Sequence, residues 1–370
     1  MSPLRRGASL VARSIRAAAG RLRAARARLG GLPPRGTVRV SYGHPRLPQA
    51  GEPAVGGIVK LQELERRFPN STARFNVLYL VSSRLPDEAI ALAAAAAAKG
   101  AAVVVNQNGV AYPAWHGPGW EKTNAPFAAL LAQASHVFYQ SRFCKETADR
   151  FVGVEPRAWE ILYNSVDTSR FVPSARLSRP LTLLLGGTQQ AFYRVATALE
   201  TLALVRRQVA DARLLIAGTL RWSAARAARA ETDELAARLD VASAIAFVGP
   251  YTQADAPGLY QRADLLLHTK YNDPCPTVVL EAMSSGLPVV YSRSGGVPEL
   301  VGDEAGIGVA AELSWDRDVP PSAVEMAEAV GAALARRDTM SAAARRRAVE
   351  HFDRRAWVQR HAEVFQELAG

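Results

Sequence analysis

The chain has 370 residues, 49% hydrophobic and 21% charged, which excludes a disordered or fibrous polymer and favours two globular domains over one. Its two cysteines, Cys144 and Cys275, are too few for a disulfide framework or a zinc site, so a reduced, cytosolic protein is expected. The net charge is +11, but residues 1–35 hold nine arginines and no acid; taking those nine away leaves +2, which argues against a nucleic-acid-binding body.

In that basic leader Val11, Ile15, Ala18, Leu22, Ala25 and Leu29 recur at alternating steps of four and three, with arginines on the other faces. Three readings stand side by side: an amphipathic helix lying on an anionic membrane, a poorly ordered leader, or a transit peptide. No apolar run reaches the ~18 residues that a bilayer span needs. Past Gly36 short apolar strands alternate with helices. "TVRVSYG", "FNVLYLVSS", "AAVVVNQNG", "HVFYQS" and "AWEILYNSV" read as strands, with helices after the glycines of "AVGGIVK", across Ala89–Ala98, and in "FCKETADRFVG". The proline-rich, polar stretch 167–180 reads as a linker. The rhythm restarts with strands "LTLLLGG", "ARLLIAG", "AIAFVGPY", "ADLLLHT" and "LPVVYS", and ends in a helical stretch from Ala342 with no strand after it. Strand–helix alternation on both sides of one linker predicts two facing Rossmann-like α/β domains with a cleft between them and a last helix packing across the back. Ligands in such sheets sit beyond the carboxyl ends of the strands.

Two acids stand out. Glu281 lies among Val278, Val279, Leu280, Ala282 and Met283, where a carboxylate is costly unless it is paired or hydrogen-bonded. Asp273 lies eight residues upstream, ahead of Pro274.

With its acid spacing, "GLPVV" and "GGVPE", the stretch "DPCPTVVLEAMSSGLPVVYSRSGGVPELVG" resembles the donor-site motif of glycosyltransferase family 4, retaining enzymes of the GT-B fold. The family normally has Glu at both acid positions, whereas Asp273 holds the first here. "YNSVDTSRFVP", "AIAFVGPY", "YQRADLLLHT" and "HFDRRAW" extend the resemblance over about 155–370, and it is weaker over 36–154. It implies an acceptor-side domain at 36–166, a nucleotide-sugar-binding domain at 181–345 and a helix at 346–370 that packs across both. Glu281 would accept the ribose hydroxyls, Asp273 would face the donor sugar, and the N–H groups of Thr277 and Val278 would meet the diphosphate at a helix N-terminus. Gly249 and Pro250 would lie near the base, and Gly56 and Gly57 would let backbone approach the phosphates.

The chain departs from the family in its phosphate clamp. No Arg follows Gly186 in "GGTQQAFYR"; Arg194 stands near the family's Lys position and takes the phosphate role, with a second cation unassigned. Where many members carry a His after the third strand, this chain has Asn106, Gln107 and Asn108, none a base at neutral pH. His116 is a candidate base or an ordinary loop histidine, Asn108 a polar contact to acceptor or sugar, and Trp115 and Trp120 either stack on a sugar or pack. The expected activity is transfer of a sugar from a nucleotide diphosphate sugar to a hydroxyl acceptor, lipid-linked, polysaccharide precursor or small glycoside. No cofactor or metal is expected, and no nucleic-acid partner; residues 1–35 would meet the inner face of the cell membrane. The alternatives are a catalytically weak nucleotide-sugar-binding subunit and a GT-B nucleotide-sugar epimerase.

Overall fold

The computed structural model describes residues 18–48, 56–174 and 180–370. The described residues fall into two compact units: the chain up to Leu162 together with Val358–Gly370, and Tyr163–Trp357. The first unit is built on a parallel sheet in the order β1 (Val40–Ser41), β2 (Val77–Val81), β3 (Ala102–Gln107), β4 (His136–Tyr139) and β5 (Trp159–Ile161). The strands β2 and β3 are buried from end to end, as continuous apolar runs covered on both faces should be. The polar residues of β3, Asn106 and Gln107, fall at its carboxyl end.

Of the arginine-rich leader, residues 1–17 lie outside the described residues, and 18–29 form a helix. The helix rests on the unit through small residues: Gly20, Ala24 and Ala27 are buried, and Ala27 joins the cluster that contains Phe75, Leu92 and Ala96. Small side chains let a helix approach its neighbour closely. At its end Lys99 donates to the carbonyls of Gly30 (3.4 Å) and Ala73 (3.0 Å). The Lys99 ammonium also lies 3.5 Å from the centre of the Phe75 ring, and burial lowers its pKa to about 8. The expected stripe residues Ala18, Leu22, Ala25 and Leu29 therefore point away from the body.

The second unit holds six parallel strands, β6 (Thr182–Leu185), β7 (Arg213–Ala217), β8 (Ile245–Gly249), β9 (Leu265–His268), β10 (Val289–Arg293) and β11 (Gly306–Ala310), in the order β11-β10-β9-β6-β7-β8. This is a doubly wound sheet that runs outward in one direction from β6 through β7 and in the other from β9 through β10. Its switch point lies between the carboxyl ends of β6 and β9, where such sheets open a crevice. The terminal helical stretch is two helices, Arg337–His351 and Arg354–Ala369, because Phe352 turns inward to a 2% exposed position and Asp353 starts the next helix. The Asp353 carboxylate accepts from the Arg355 N–H at 2.8 Å and its carbonyl from the Trp357 N–H. That last helix begins in the second unit, and from Val358 onward it belongs to the first.

Candidate functional site

The switch point of the second unit brings together most of the residues singled out in the sequence. Leaving β6, the chain passes through Gly186 and Gly187, whose carbonyls the Gln189 amide holds at 3.1 and 3.2 Å. Val278, in the first turn of the helix Thr277–Ser284, packs against Gly186 and Gly187. The start of that helix thus adjoins the glycine loop, and a helix N-terminus suits an anion.

Arg194 is in the first turn of the helix Phe192–Val205, 6% exposed, with a buried Nε that has no hydrogen-bond partner. Its carbonyl accepts from the Thr269 hydroxyl at 2.7 Å, which ties this helix to the exit of β9. The next residue, Lys270, places its ammonium 2.8 Å from Asp273 Oδ1. His268 Nε2 stands 3.2 Å from the other carboxylate oxygen. Burial would raise the Asp273 pKa, but the Lys270 charge and the His268 contact outweigh it and hold the carboxyl well below the usual range. Asp318 shares this field: burial pushes its carboxyl up against the pull of both Arg194 and Lys270. Lys270, which the sequence reading left unassigned, thus brings a second positive charge to the field that Arg194 exerts on Asp318. Its signal in the sequence was its place, two residues beyond the end of a strand and three before the acid.

The loop that carries Asp273 is shaped by the downstream "GGVPE". Gly295 has φ +64°, and a Cβ there would meet the backbone of Asn272 and Asp273 at 2.6–2.7 Å. The Gly296 N–H then donates to the Asp273 carbonyl at 2.9 Å. Only glycine permits this approach, so Gly295→Ala is expected to displace Asp273. The left-handed backbone alone costs about 1–2 kcal/mol. A thermal midpoint and ligand affinity equal to wild type would contradict this.

Glu281 has a partner, as its apolar surroundings required. Its Oε2 accepts from the Tyr260 hydroxyl at 2.6 Å, and Tyr260 is itself fully buried. Burial pushes the Glu281 pKa up to about 7, against the opposing effects of the Tyr260 hydrogen bond and the Arg170 charge. Tyr251, two residues past Gly249 at the end of β8, feels the Glu281 charge and hydrogen-bonds with Tyr260. The exit of β8, with Gly249 and Pro250, is thereby linked to Glu281.

In the first unit the polar end of β3 forms a cluster. Asn106 Oδ1 accepts from Gln140 at 2.7 Å and from Lys60 at 3.5 Å, and the Asn108 N–H donates to the Ser82 hydroxyl at 2.9 Å. Lys60 and Gln140 join Asn106 only through the fold. Lys60 arrives on the helix Gly56–Glu65, whose preceding residues 49–55 lie outside the described residues. A Cβ on Gly57 would meet Ser83 at 2.8 Å, so its small size serves packing, while Gly56 faces open space. His116 is not in this cluster. It ends the short helix Pro113–His116, exposed, with Nε2 2.8 Å from the Thr123 hydroxyl. Trp115 is 52% exposed, and Trp120 packs edge-on against Phe151. Among the described residues no group of three or more His, Cys, Asp and Glu side chains is placed to hold a metal ion. No described helix is long and apolar enough to cross a membrane.

Residues 179–335 match the family model described as "Glycosyl transferases group 1". A D-inositol 3-phosphate glycosyltransferase of Geodermatophilus obscurus is 29% identical over 245 residues, 60% of this chain and 52% of that protein. The same-named protein of Mycobacteroides abscessus is 27% identical over 222 residues, 58% of this chain and 47% of that one. The chain thus spans about half the length of these two relatives. Among solved structures, Anabaena HepE in complex with UDP aligns with a TM-score of 0.64 at 20% identity, covering 79% of each chain. Sucrose-phosphate synthase of Thermosynechococcus elongatus aligns with a TM-score of 0.61 at 18% identity, over 80% of this chain and 74% of that one. These likenesses show the fold: two parallel-sheet α/β domains of the GT-B type.

Proposed function

We propose that the protein is a retaining glycosyltransferase of the family 4 type, moving a sugar from a nucleotide diphosphate sugar to a hydroxyl acceptor. One observation carries the reading: at the switch point of the second unit, two cations, an ionised Asp273, a helix N-terminus and the Tyr260-bound Glu281 occupy one stretch of strand ends. Each suits one part of such a donor. Glu281 accepts the ribose hydroxyls, and Tyr251 with Gly249 and Pro250 lies toward the base. Arg194, Lys270 and the N–H groups of Thr277 and Val278 bind the diphosphate, and Asp273 faces the sugar. As the glycosidic bond to the diphosphate breaks, charge grows on the leaving oxygen, and fixed cations and a helix dipole stabilise it there. A front-face retaining transfer lets the leaving diphosphate take the acceptor proton, so this scheme needs no histidine or carboxylate beside Asn106 and Asn108. His116, held by Thr123, has no necessary part in this scheme. The match of residues 179–335 to a glycosyltransferase family supports the assignment of the donor side to the second unit.

The test is a donor panel. UDP-, GDP- and dTDP-sugars are screened for thermal stabilisation, since a ligand of the native state raises its apparent stability. The stabilising donor is then followed to free nucleotide diphosphate, with phosphorylated polyols, small glycosides and lipid-linked sugars as acceptors. Donor-dependent release of nucleotide with a retained anomeric linkage, undiminished by EDTA, is the expected result. Binding without release would mean a binding subunit, and a free-sugar epimer among the products would mean an epimerase. A lipid-linked or polysaccharide-precursor acceptor is the favoured class, on the strength of the basic N-terminal helix.

A further inference from the structure

The helix at residues 18–29 has two faces with different fates. At about 100° per residue, Gly20, Ala24 and Ala27 share the side buried against the first unit, and Ala18, Leu22, Ala25 and Leu29 share the opposite side. Leu22 is 72% exposed and Leu29 86%. On the same geometry Arg21 and Arg28 lie along one flank of this outward stripe and Arg26 along the other, and all three are exposed. Arg23, on the inner flank, is directed instead to Asp87 at 3.8 Å. The helix is fixed to the body through Ala27 in the core and by Lys99 at its end, so the outward face is presented in one orientation.

We propose that this outward face is a docking surface for an anionic lipid bilayer, lying in the plane of the headgroups with Leu22 and Leu29 inserted and Arg21, Arg26 and Arg28 on lipid phosphates. The arrangement of leucines between two rows of arginines is that of an interfacial helix. A second copy of the chain is disfavoured as the occupant, because a symmetric pairing would set these arginines against themselves. A polynucleotide would use the arginines and leave the leucines without a role. Because the helix is fixed to the first unit, the bilayer sets that unit's orientation, and the contact does not depend on the donor reading.

The experiment is vesicle flotation of the full chain with phosphatidylglycerol vesicles, phosphatidylcholine vesicles and duplex DNA. Wild type is expected to float with the anionic vesicles only, and to be released as salt is added. Arg21→Glu/Arg26→Glu/Arg28→Glu should weaken that binding on the order of a hundredfold, given the contribution of each basic residue at such a surface. Leu22→Ser/Leu29→Ser should weaken it about tenfold through lost insertion. All five side chains are exposed, so thermal midpoint and donor affinity should match wild type in both variants. Equal flotation with phosphatidylcholine, arginine-variant binding equal to wild type, or leucine-variant binding equal to wild type would each overturn the proposal. So would DNA binding of the same strength that the leucine change leaves untouched.

Discussion

Asp273→Asn is expected to reduce sugar transfer by at least about a hundredfold, the scale of losing one preorganised electrostatic contact in a reaction centre. Affinity for the bare nucleoside diphosphate should change by less than about threefold. The asymmetry follows from the geometry. Lys270 and His268 hold the carboxylate ionised at the exit of β9, and in the proposed scheme it faces the sugar, whose charge changes as the glycosidic bond breaks. In the same proposed scheme the nucleotide meets Arg194, Lys270, Glu281 and the helix N-terminus instead. Single-turnover kinetics and calorimetry on the same preparation check it, and an equal loss of nucleotide affinity and turnover would remove Asp273 from the sugar side. Lys270 gives the complementary result. Lys270→Ala should weaken a nucleoside diphosphate about tenfold while leaving the nucleoside unchanged, on the scale of one charged hydrogen bond.

Glu281→Gln is expected to weaken donor binding by a factor of ten or more, since the ribose hydroxyls lose a charged acceptor worth about 1.5–3 kcal/mol. The raised pKa adds a sharper signature. With a carboxyl that titrates at about 7, only about a tenth is ionised at pH 6, against most of it at pH 8. The dissociation constant of a nucleotide sugar should therefore rise about tenfold as pH falls from 8 to 6, and the Gln variant should lose this dependence. A nucleotide sugar is the right probe because its diphosphate does not titrate in that window. Stability moves in the opposite sense. A carboxyl whose folded pKa is raised stabilises the fold fully below its unfolded pKa, and that contribution is lost as pH rises through 7. Without ligand, Glu281→Gln should then melt above wild type at pH 8 and near it at pH 5. A pH-independent dissociation constant together with an unchanged melting point would show that Glu281 does not titrate where its burial places it.

Much of the fold was legible in the sequence because its signals are local. Runs such as "NVLYLV" and "AAVVVNQNG" can be buried on both faces only as inner strands of a parallel sheet, and their alternation with helices implies the doubly wound plan. Glu281 was legible as an acid that needed a partner, because burying a lone carboxylate is too costly to leave unanswered. Its partner was not, since Tyr260 is 21 residues away and arrives on another helix. For Lys270 the sequence shows only the place, after a strand and ahead of the acid; the task emerges where β9 lies beside β6.

The N-terminal helix shows the division most plainly. Composition and spacing by themselves determined that it carries an apolar stripe between arginines, because a helical period is written in consecutive residues. Only the tertiary structure decided which face would be buried. The fold buries the face that carries Gly20, Ala24 and Ala27, because close approach rewards small size there: a Cβ on Gly20 would meet Glu88 at 2.4 Å. That choice leaves Leu22 and Leu29 exposed, and no pattern within the segment contains it, because the surface on which the helix rests is assembled from residues more than forty positions further along the chain.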